Sequence, residues 1–281
     1  MPVQVSTVVD AEESQYQLVF RMDNVKSIYH LLKSINFQPR ATFFATDSGL
    51  KVSVESAKCC QANAFIQTEI FQEYTLQPTD ESVSFSLDLN VLLECLDIFG
   101  DANSNSSPTA LMLRYQGYGH PIKLLLEEED VVTECSIRTL EVEELANFDF
   151  TSDDVINKII LKSEPLKEIF NAIEPSTDIV EFNLYSNEPI VKLRTVGYMG
   201  EVEIDISKDS DMIELFQCES DSTSKYKYCH FKKALKALAI SQKVSIRTDD
   251  GGLLCMQFMI KNDCGHICFI EFHCLPVVDD D

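Results

Sequence analysis

No stretch of this 281-residue sequence approaches the roughly 18 uninterrupted apolar residues that a membrane-spanning helix requires. The opening MPVQVSTVVDAEES has neither the basic start nor the apolar run of a secretory signal. These absences predict a soluble, intracellular protein with no membrane partner. Catalytic signatures are equally scarce: there is no G-x-S-x-G, no P-loop, no Rossmann fingerprint and no H-E-x-x-H. Glycines pair only at Gly251 and Gly252, where a hairpin turn is expected. Basic residues are in short supply, 23 against 46 acidic ones, for a formal net charge of −23. A chain of that sign repels polyanions unless its charge is unevenly distributed. The ten cysteines do not follow the spacing of a small disulfide framework. Cys95, Cys135, Cys255 and Cys268 sit inside helix or strand patterns, and the adjacent Cys59 and Cys60 read as packing, so reduced core residues are expected.

What is present is a repeat. Four segments of helical period open near Asp23, Asp88, Glu164 and Phe231, at spacings of about 65, 76 and 67 residues. Apolar residues recur every three or four positions: Val25, Ile28, Leu32, Ile35; Leu92, Cys95, Leu96, Phe99; Leu166, Ile169, Phe170, Ile173; Phe231, Ala234, Leu235, Leu238. One face of each helix must be buried. Asp23 and Asp88 suit helix N-caps, their carboxylates accepting from the first free amides. Alternating stretches rich in β-branched and aromatic residues run between the helices. Many strands against four helices predict an α+β fold of antiparallel sheets with the helices on one side. The parse is two similar domains, each of two βαβββ-type units: residues 1–138, an extended connector over 139–154 (TLEVEELANFDFTSDD), and residues 155–281.

Two clusters invite a chemical reading. Cys264, His266, Cys268, His273 and Cys274 are five soft ligands in eleven residues. In a strand, however, His266, Cys268 and Cys274 share a face with Ile270 and Phe272 while His273 points away, so tetrahedral convergence is not expected. No metal and no cofactor is predicted. In GEVEID, alternation puts Glu201, Glu203 and Asp205 on one strand face, an arrangement suited to a two-metal nuclease. The same alternation describes the solvent face of an antiparallel strand with Val202 and Ile204 inward, and no catalytic residue is assigned.

The charge is indeed uneven. From Lys225 to Arg247 the chain carries Lys225, Lys227, Lys232, Lys233, Lys236, Lys243 and Arg247 without one acid. Lys232, Lys233 and Lys236 lie opposite the apolar stripe of the fourth helix, and Lys26, His30 and Lys33 do so on the first. The second helix instead offers Asn90, Glu94 and Asp97, and the third sets Lys167 beside Glu168 and Glu174. A basic helix face alone is ordinary solvated surface.

Several segments together carry a family resemblance. KCCQANAFIQTEIFQEY (Lys58 to Tyr74), VLLECLDIFG (Val91 to Gly100), RYQGYGHP (Arg114 to Pro121), NFDFTSDDVINKIILKSE (Asn147 to Glu164), KDSDMIELFQC (Lys208 to Cys218), KVSIRTDDGG (Lys243 to Gly252) and GHICFIEFHC (Gly265 to Cys274) resemble the Rad-one subunits of the nine-one-one DNA-damage checkpoint clamp. The match covers nearly the whole chain apart from the first dozen residues and the tail PVVDDD.

The resemblance implies a sliding-clamp subunit, its helices lining the hole of a ring and its sheets outside. It implies Rad-nine-type and Hus-one-type partner subunits, a dedicated clamp loader, duplex DNA through the hole, a nuclear location, and a scaffold role for checkpoint and repair factors. Read against it, the lysines form a DNA-facing set: Lys26, Lys33, Lys167, Lys232, Lys233 and Lys236. Scattered lysines hold phosphate without reading bases. The resemblance puts Ala110 to Tyr118 and Asp178 to Ser186 at the ring contacts, and Phe65, Met259 and Phe269 in a pocket that takes peptide motifs of partner proteins. Two alternatives stand beside this reading: a 3′ to 5′ exonuclease using GEVEID, and a homotrimeric replication clamp.

Overall fold

The computed structural model describes residues 15–77, 82–100, 108–148, 150, 155–174, 176–187, 190–198, 200–262 and 265–278. Contacts divide the chain into two units: the residues up to Val54 with Ala64–Glu144, and Glu55–Asn63 with Leu145–Asp281. Part of the expected connector, 149 and 151–154, lies outside the described residues.

The element order repeats one motif four times. The first unit runs β1 (Leu18–Met22), α1 (Lys26–Ile35), β2 (Arg40–Thr46), β3 (Gly49–Ser56), β4 (Cys60–Gln67) and a short β5 (Glu73–Leu76), except that the facing ends of β3 and β4, within Glu55–Asn63, belong to the second unit. It continues as β6 (Val83–Asp88), α2 (Leu89–Leu96), β7 (Ala110–Tyr115), β8 (Ile122–Glu128) and β9 (Val131–Ile137). The second unit repeats the pattern as β10 (Asn157–Lys162), α3 (Ser163–Asn171), β11 (Ile179–Tyr185), β12 (Ile190–Gly197), β13 (Gly200–Ser207) and β14 (Ile213–Cys218). It ends as β15 (Ser222–Lys227), α4 (Tyr228–Ile240), β16 (Lys243–Thr248), β17 (Leu254–Lys261) and β18 (Ile267–Cys274). This is the α+β, βαβββ-type architecture that the periodicity predicts.

In the first unit an antiparallel sheet takes the order β5-β1-β7-β8-β9, beside a second row β6-β2-β3-β4. In the second unit the rows are β13-β12-β11-β15 and β14-β10-β16-β17-β18. The helices pack in pairs within their units, α1 on α2 and α3 on α4. Asn36 Nδ2 donates to Asn90 Oδ1 at 3.0 Å across the first pair, and the rings of Phe170 and Phe231 lie 5.5 Å apart in the second. All the predicted stripe residues of α1 are buried, Val25, Ile28, Leu32 and Ile35 among them. Full burial of each such side chain is worth about 1.5–3 kcal/mol, which is what fixes the helices on the sheets.

Capping follows the sequence at one helix and departs from it at another. Asp88 accepts from the amides of Asn90 and Val91 at 2.9 and 3.4 Å, as predicted for α2. Asp23 does not cap α1; the side-chain Oδ1 of Asn24 accepts from the Lys26 amide at 3.0 Å instead, because the helix starts at Lys26, too late for Asp23 to reach its free donors. The Gly251–Gly252 turn joins β16 to β17 as expected, with the Leu253 amide donating to Asp249 Oδ1 at 2.7 Å.

The expected ring-contact strands are not edges. Ala110–Tyr115 is β7, paired on both sides by β1 and β8, and Ile179–Tyr185 is β11, paired by β12 and β15. Their backbone donors and acceptors are already satisfied, so neither can take a further strand. The outermost strands of those sheets on the corresponding side are β9 and β13.

Candidate nucleic-acid interface

The six predicted DNA-facing lysines all lie on α1, α3 and α4, but they differ in surroundings. On α4, Lys232 and Lys236 are exposed and one turn apart, opposite the buried Phe231, Ala234 and Leu238. Lys232 Nζ lies 4.8 Å from the Tyr228 ring centre, a cation–π contact that steers the ammonium without neutralising it. Lys233 is half-buried, on the side of the helix that faces a group of thiols. On α1, Lys33 Nζ donates to Tyr29 Oη at 3.1 Å and lies 5.0 Å from the same ring, while Lys26 sits in the first turn. On α3, Lys167 lies 3.7 Å from Glu164, an exposed ion pair that partly offsets its charge. On α2, exposed Asn90, Glu94 and Val91 offer phosphate nothing.

The basic window from Lys225 to Arg247 resolves into three elements with different fates. Lys225 and Lys227 belong to β15; the lysine triad belongs to α4; Lys243 and Arg247 belong to β16 and are paired, Lys243 with Glu214 at 2.7 Å and Arg247 with Glu271 at 3.2 Å. Within the triad, Lys232 and Lys236 are the exposed members.

Beneath the first turn of α4 lies a group that sequence spacing does not reveal. His230, 9% exposed, has Cys59 Sγ 3.8 Å from Nε2 and Cys274 Sγ 3.5 Å from Nδ1. Burial, with help from the Lys233 and Lys227 charges, pushes the His230 pKa down, so the ring is neutral and can exchange hydrogen bonds with both thiols. Burial pushes the Cys60 and Cys255 thiols from 9.0 up to about 12, and Cys274 further in the same direction. These are packed, inert thiols, as the sequence predicts.

The carboxy-terminal ligand cluster does not converge. Cys268 and Cys274 are fully buried, His266 is exposed ahead of β18, and His273 stacks on Phe148 with ring centres 5.9 Å apart and planes 6° from parallel. Cys264 lies outside the described residues. Among the described residues no group of three or more His, Cys, Asp or Glu side chains is placed to hold a metal.

GEVEID forms β13 with its three carboxylates on one face, as alternation requires. Each faces a cation of β12: Glu201 pairs with Arg194, and Glu203 and Asp205 approach Lys192 at 2.5 and 3.6 Å. The arginine hydrogen bond pulls the Glu201 pKa down. Such cross-strand pairs are the ordinary way for a sheet to hold opposite charges, and they put cations where a nuclease would need metal ions.

The predicted pocket residues divide between the units. Met259 and Phe269 are directly opposite on β17 and β18, both half-buried on the face away from Phe258 and Ile270. Phe65 is in β4, in the part belonging to the first unit, with Lys51 Nζ 5.9 Å from its ring centre.

The sequence model of the family described as repair protein Rad1/Rec1/Rad17 matches residues 17–260. The human "Cell cycle checkpoint protein RAD1" is 48% identical over 276 residues, covering 98% of this chain and 97% of its own length. The fruit fly (Drosophila melanogaster) "DNA repair protein Rad1" is 31% identical over 98% of this chain and 100% of its own. A fission yeast (Schizosaccharomyces pombe) relative, "DNA damage checkpoint control protein rad1", is 26% identical over 90% of this chain and 84% of its own. With a family match over most of its length, and with helices and antiparallel sheets arranged as in the sliding-clamp fold, the chain belongs to the Rad1 family.

Proposed function

We propose that this chain is a noncatalytic subunit of a heterotrimeric DNA clamp, loaded onto duplex DNA in the nucleus at sites of damage and serving there as a scaffold for checkpoint signalling and repair. Its ring neighbours are a Rad-nine-type and a Hus-one-type subunit, and a clamp loader opens and closes the ring. The two clamp domains are residues 1–138 and 155–281, joined by the connector 139–154. The names of the relatives, which speak of DNA repair, DNA-damage checkpoint control and the cell cycle, support this reading.

The observation that carries it is the chemistry of the two outer strands. β9 presents Val131 and Val132, 55 and 57% exposed, whereas β13 presents Glu201, Glu203 and Asp205 among their lysine and arginine partners. Long unpaired edges are association surfaces. Edges this unlike are suited to two different neighbours rather than to one another. The isolated chain is therefore expected not to close a stable three-copy ring, and a one-to-one-to-one complex is expected on adding both partner subunits. Light scattering reads the mass; a homogeneous homotrimer of the chain alone would overturn the proposal in favour of a replication clamp. The same preparations, incubated with magnesium and 3′-ended DNA, should release no nucleotides, because the carboxylates of β13 are already engaged by Lys192 and Arg194.

Partner peptides dock on the Met259–Phe269 pair, with Phe65 as a further apolar contact in its own unit. Half-buried apolar residues abreast on a sheet face suit an aromatic or aliphatic anchor. Met259→Ala is expected to weaken binding of such a peptide by about 1–2 kcal/mol while leaving the unfolding midpoint nearly unchanged. A stability loss of about 3 kcal/mol or more with no separate binding defect would assign Met259 to the core.

A further inference from the structure

The outer face of β10 and β16 carries a cationic pair that the clamp reading does not use. Lys158 lies directly opposite Arg247 on the neighbouring strand, and two repeats along, Lys162 lies opposite Lys243. Like charges in register on adjacent strands repel, so a sheet keeps them only where something offsets the cost. Lys243 and Arg247 have Glu214 and Glu271. The side chains of Lys158 and Lys162 have no ion pair or hydrogen bond among the described residues. On a chain with net charge −23 this is a local surplus of the opposite sign.

Lys158 and Arg247 also line a cavity of about 690 Å³, a size that accommodates one or two large side chains. The guanidinium of Arg247 is held, not exhausted. Its Nη2 donates to Glu271 Oε1 and Cys255 Sγ, each at 3.2 Å, and Phe150 covers its face at 5.5 Å. Its Nε has no hydrogen-bond partner, and among the described residues neither has Nη1. Glu271 is itself fixed by Gln257 Nε2 at 2.9 Å, so the arginine is oriented from behind by a positioned carboxylate. Phe216 supplies an apolar wall, and Glu219 is the one carboxylate of the lining. Phe216 to Glu219 continue β14, the outermost strand of its row, whose outer backbone groups have no strand partner within it. An extended peptide could pair there while one side chain enters the cavity.

We propose that this cavity is a docking site for an acidic peptide segment of a partner protein, with a carboxylate or phosphoryl group of that segment bound between Lys158 Nζ and Arg247 Nη1. The site is independent of the lysines of α4 and of the Met259–Phe269 pair. Carboxylate and phosphoryl groups share the recognition chemistry, planar or tetrahedral oxygens against a lysine and an arginine fork.

The test uses the full chain with fluorescein-labelled hexaglutamate, and with a hexapeptide carrying one phosphoserine among glutamates. At low salt at least one of them is expected to bind saturably; tighter binding of the second by tenfold or more identifies the phosphoryl group as the natural anion, and equal binding identifies the carboxylate. Lys158→Glu is expected to lower affinity at least tenfold and Lys158→Gln by less, with the unfolding midpoint unchanged in both because Lys158 is half-exposed on the sheet face. Joint replacement of Lys232, Lys233 and Lys236 by Ala is expected to change affinity less than twofold. Absence of saturable binding of both peptides, or binding that survives Lys158→Glu and falls in the α4 variant, would overturn the proposal.

Discussion

Raising the pH from 8 to 11 is expected to destabilise the second unit more than the first. Cys60, Cys255 and Cys274 are fully buried thiols, and burial raises the folded-state pKa of each, from 9.0 to about 12 for Cys60 and Cys255. In the unfolded chain the same thiols ionise near their ordinary value. Above that value the unfolded state therefore binds fewer protons than the folded one, and stability falls as pH rises. The contribution is fully present below about pH 9 and is lost progressively between about 9 and 12. Each thiol costs about 1.4 kcal/mol per pH unit in that window, so the three together cost about 4 kcal/mol by pH 10 and roughly twice that by pH 11. A domain typically holds about 5–15 kcal/mol. Tyr226, buried and donating to the Gly252 carbonyl at 2.7 Å, shifts in the same direction and adds to the loss. All four groups belong to the second unit. Urea midpoints under reducing conditions at pH 8, 9 and 10 measure the effect, and a Cys274→Ala variant should be less stable at pH 8 but lose about 1.4 kcal/mol less per pH unit above 9. A midpoint flat to pH 10 would show that the thiols are not buried as described.

The parts of the fold that were legible in the sequence are those with a local period. The stripe of α1 is buried residue for residue; α4 starts at Tyr228 rather than Phe231 and buries Phe231, Ala234 and Leu238 of its predicted stripe, with Leu235 half-buried. Its first turn, YCHF, buries Tyr228 and His230, two residues whose polar atoms hide an apolar face from a count of hydrophobic side chains. Sheet order is a different matter, because alternation identifies a strand without saying what lies beside it. The cue was present all the same. β7 buries Leu111, Met112 and Leu113 in succession, which only a strand covered on both faces can do, whereas six of the seven residues of β9 are at least partly open and only Ile137 is fully buried. Reading burial from both faces would have put β9, not β7, at the edge.

The site was less legible than the fold for the same reason. A lysine on a helix can be assigned to the solvent face from spacing alone, but its partner cannot. Lys167 pairs with Glu164 one turn away, which spacing could have shown; Lys233 acts on Cys60 and Cys274, which it could not. The His230 group joins residues 171 and 44 positions apart, and the Lys158–Arg247 pair exists only once the β10–β16 register is known. Long-range register, more than residue chemistry, is what the sequence withholds.

Replacing Lys232, Lys233 and Lys236 together with Ala is expected to weaken the association of the assembled ring with duplex DNA and to flatten its dependence on salt. Each lost phosphate contact removes about 0.9 from the slope of log affinity against log salt, so the triple variant should lose up to about 2.7. Folding should survive, because Lys232 and Lys236 are exposed and alanine is the better helix former. The single variants should not contribute equally. Lys232 and Lys236 present their charge to solvent from one face, one turn apart, and should account for most of the change; Lys233, half-buried, should account for less. Lys167→Ala should change the slope least, since its removal also frees Glu164. The measurement is a salt titration of ring binding to linear duplex with blocked ends, in which dissociation is not limited by sliding off. An unchanged slope in the Lys232→Ala, Lys236→Ala double variant would remove α4 from the DNA-facing surface. A slope that falls instead in Lys26→Ala, Lys33→Ala would move the phosphate contacts to α1, whose Lys33 is already steered by Tyr29. Because the overall charge is −23, the electrostatic work of bringing DNA to this chain rests on a few residues, and that concentration is what makes so small a set of substitutions measurable.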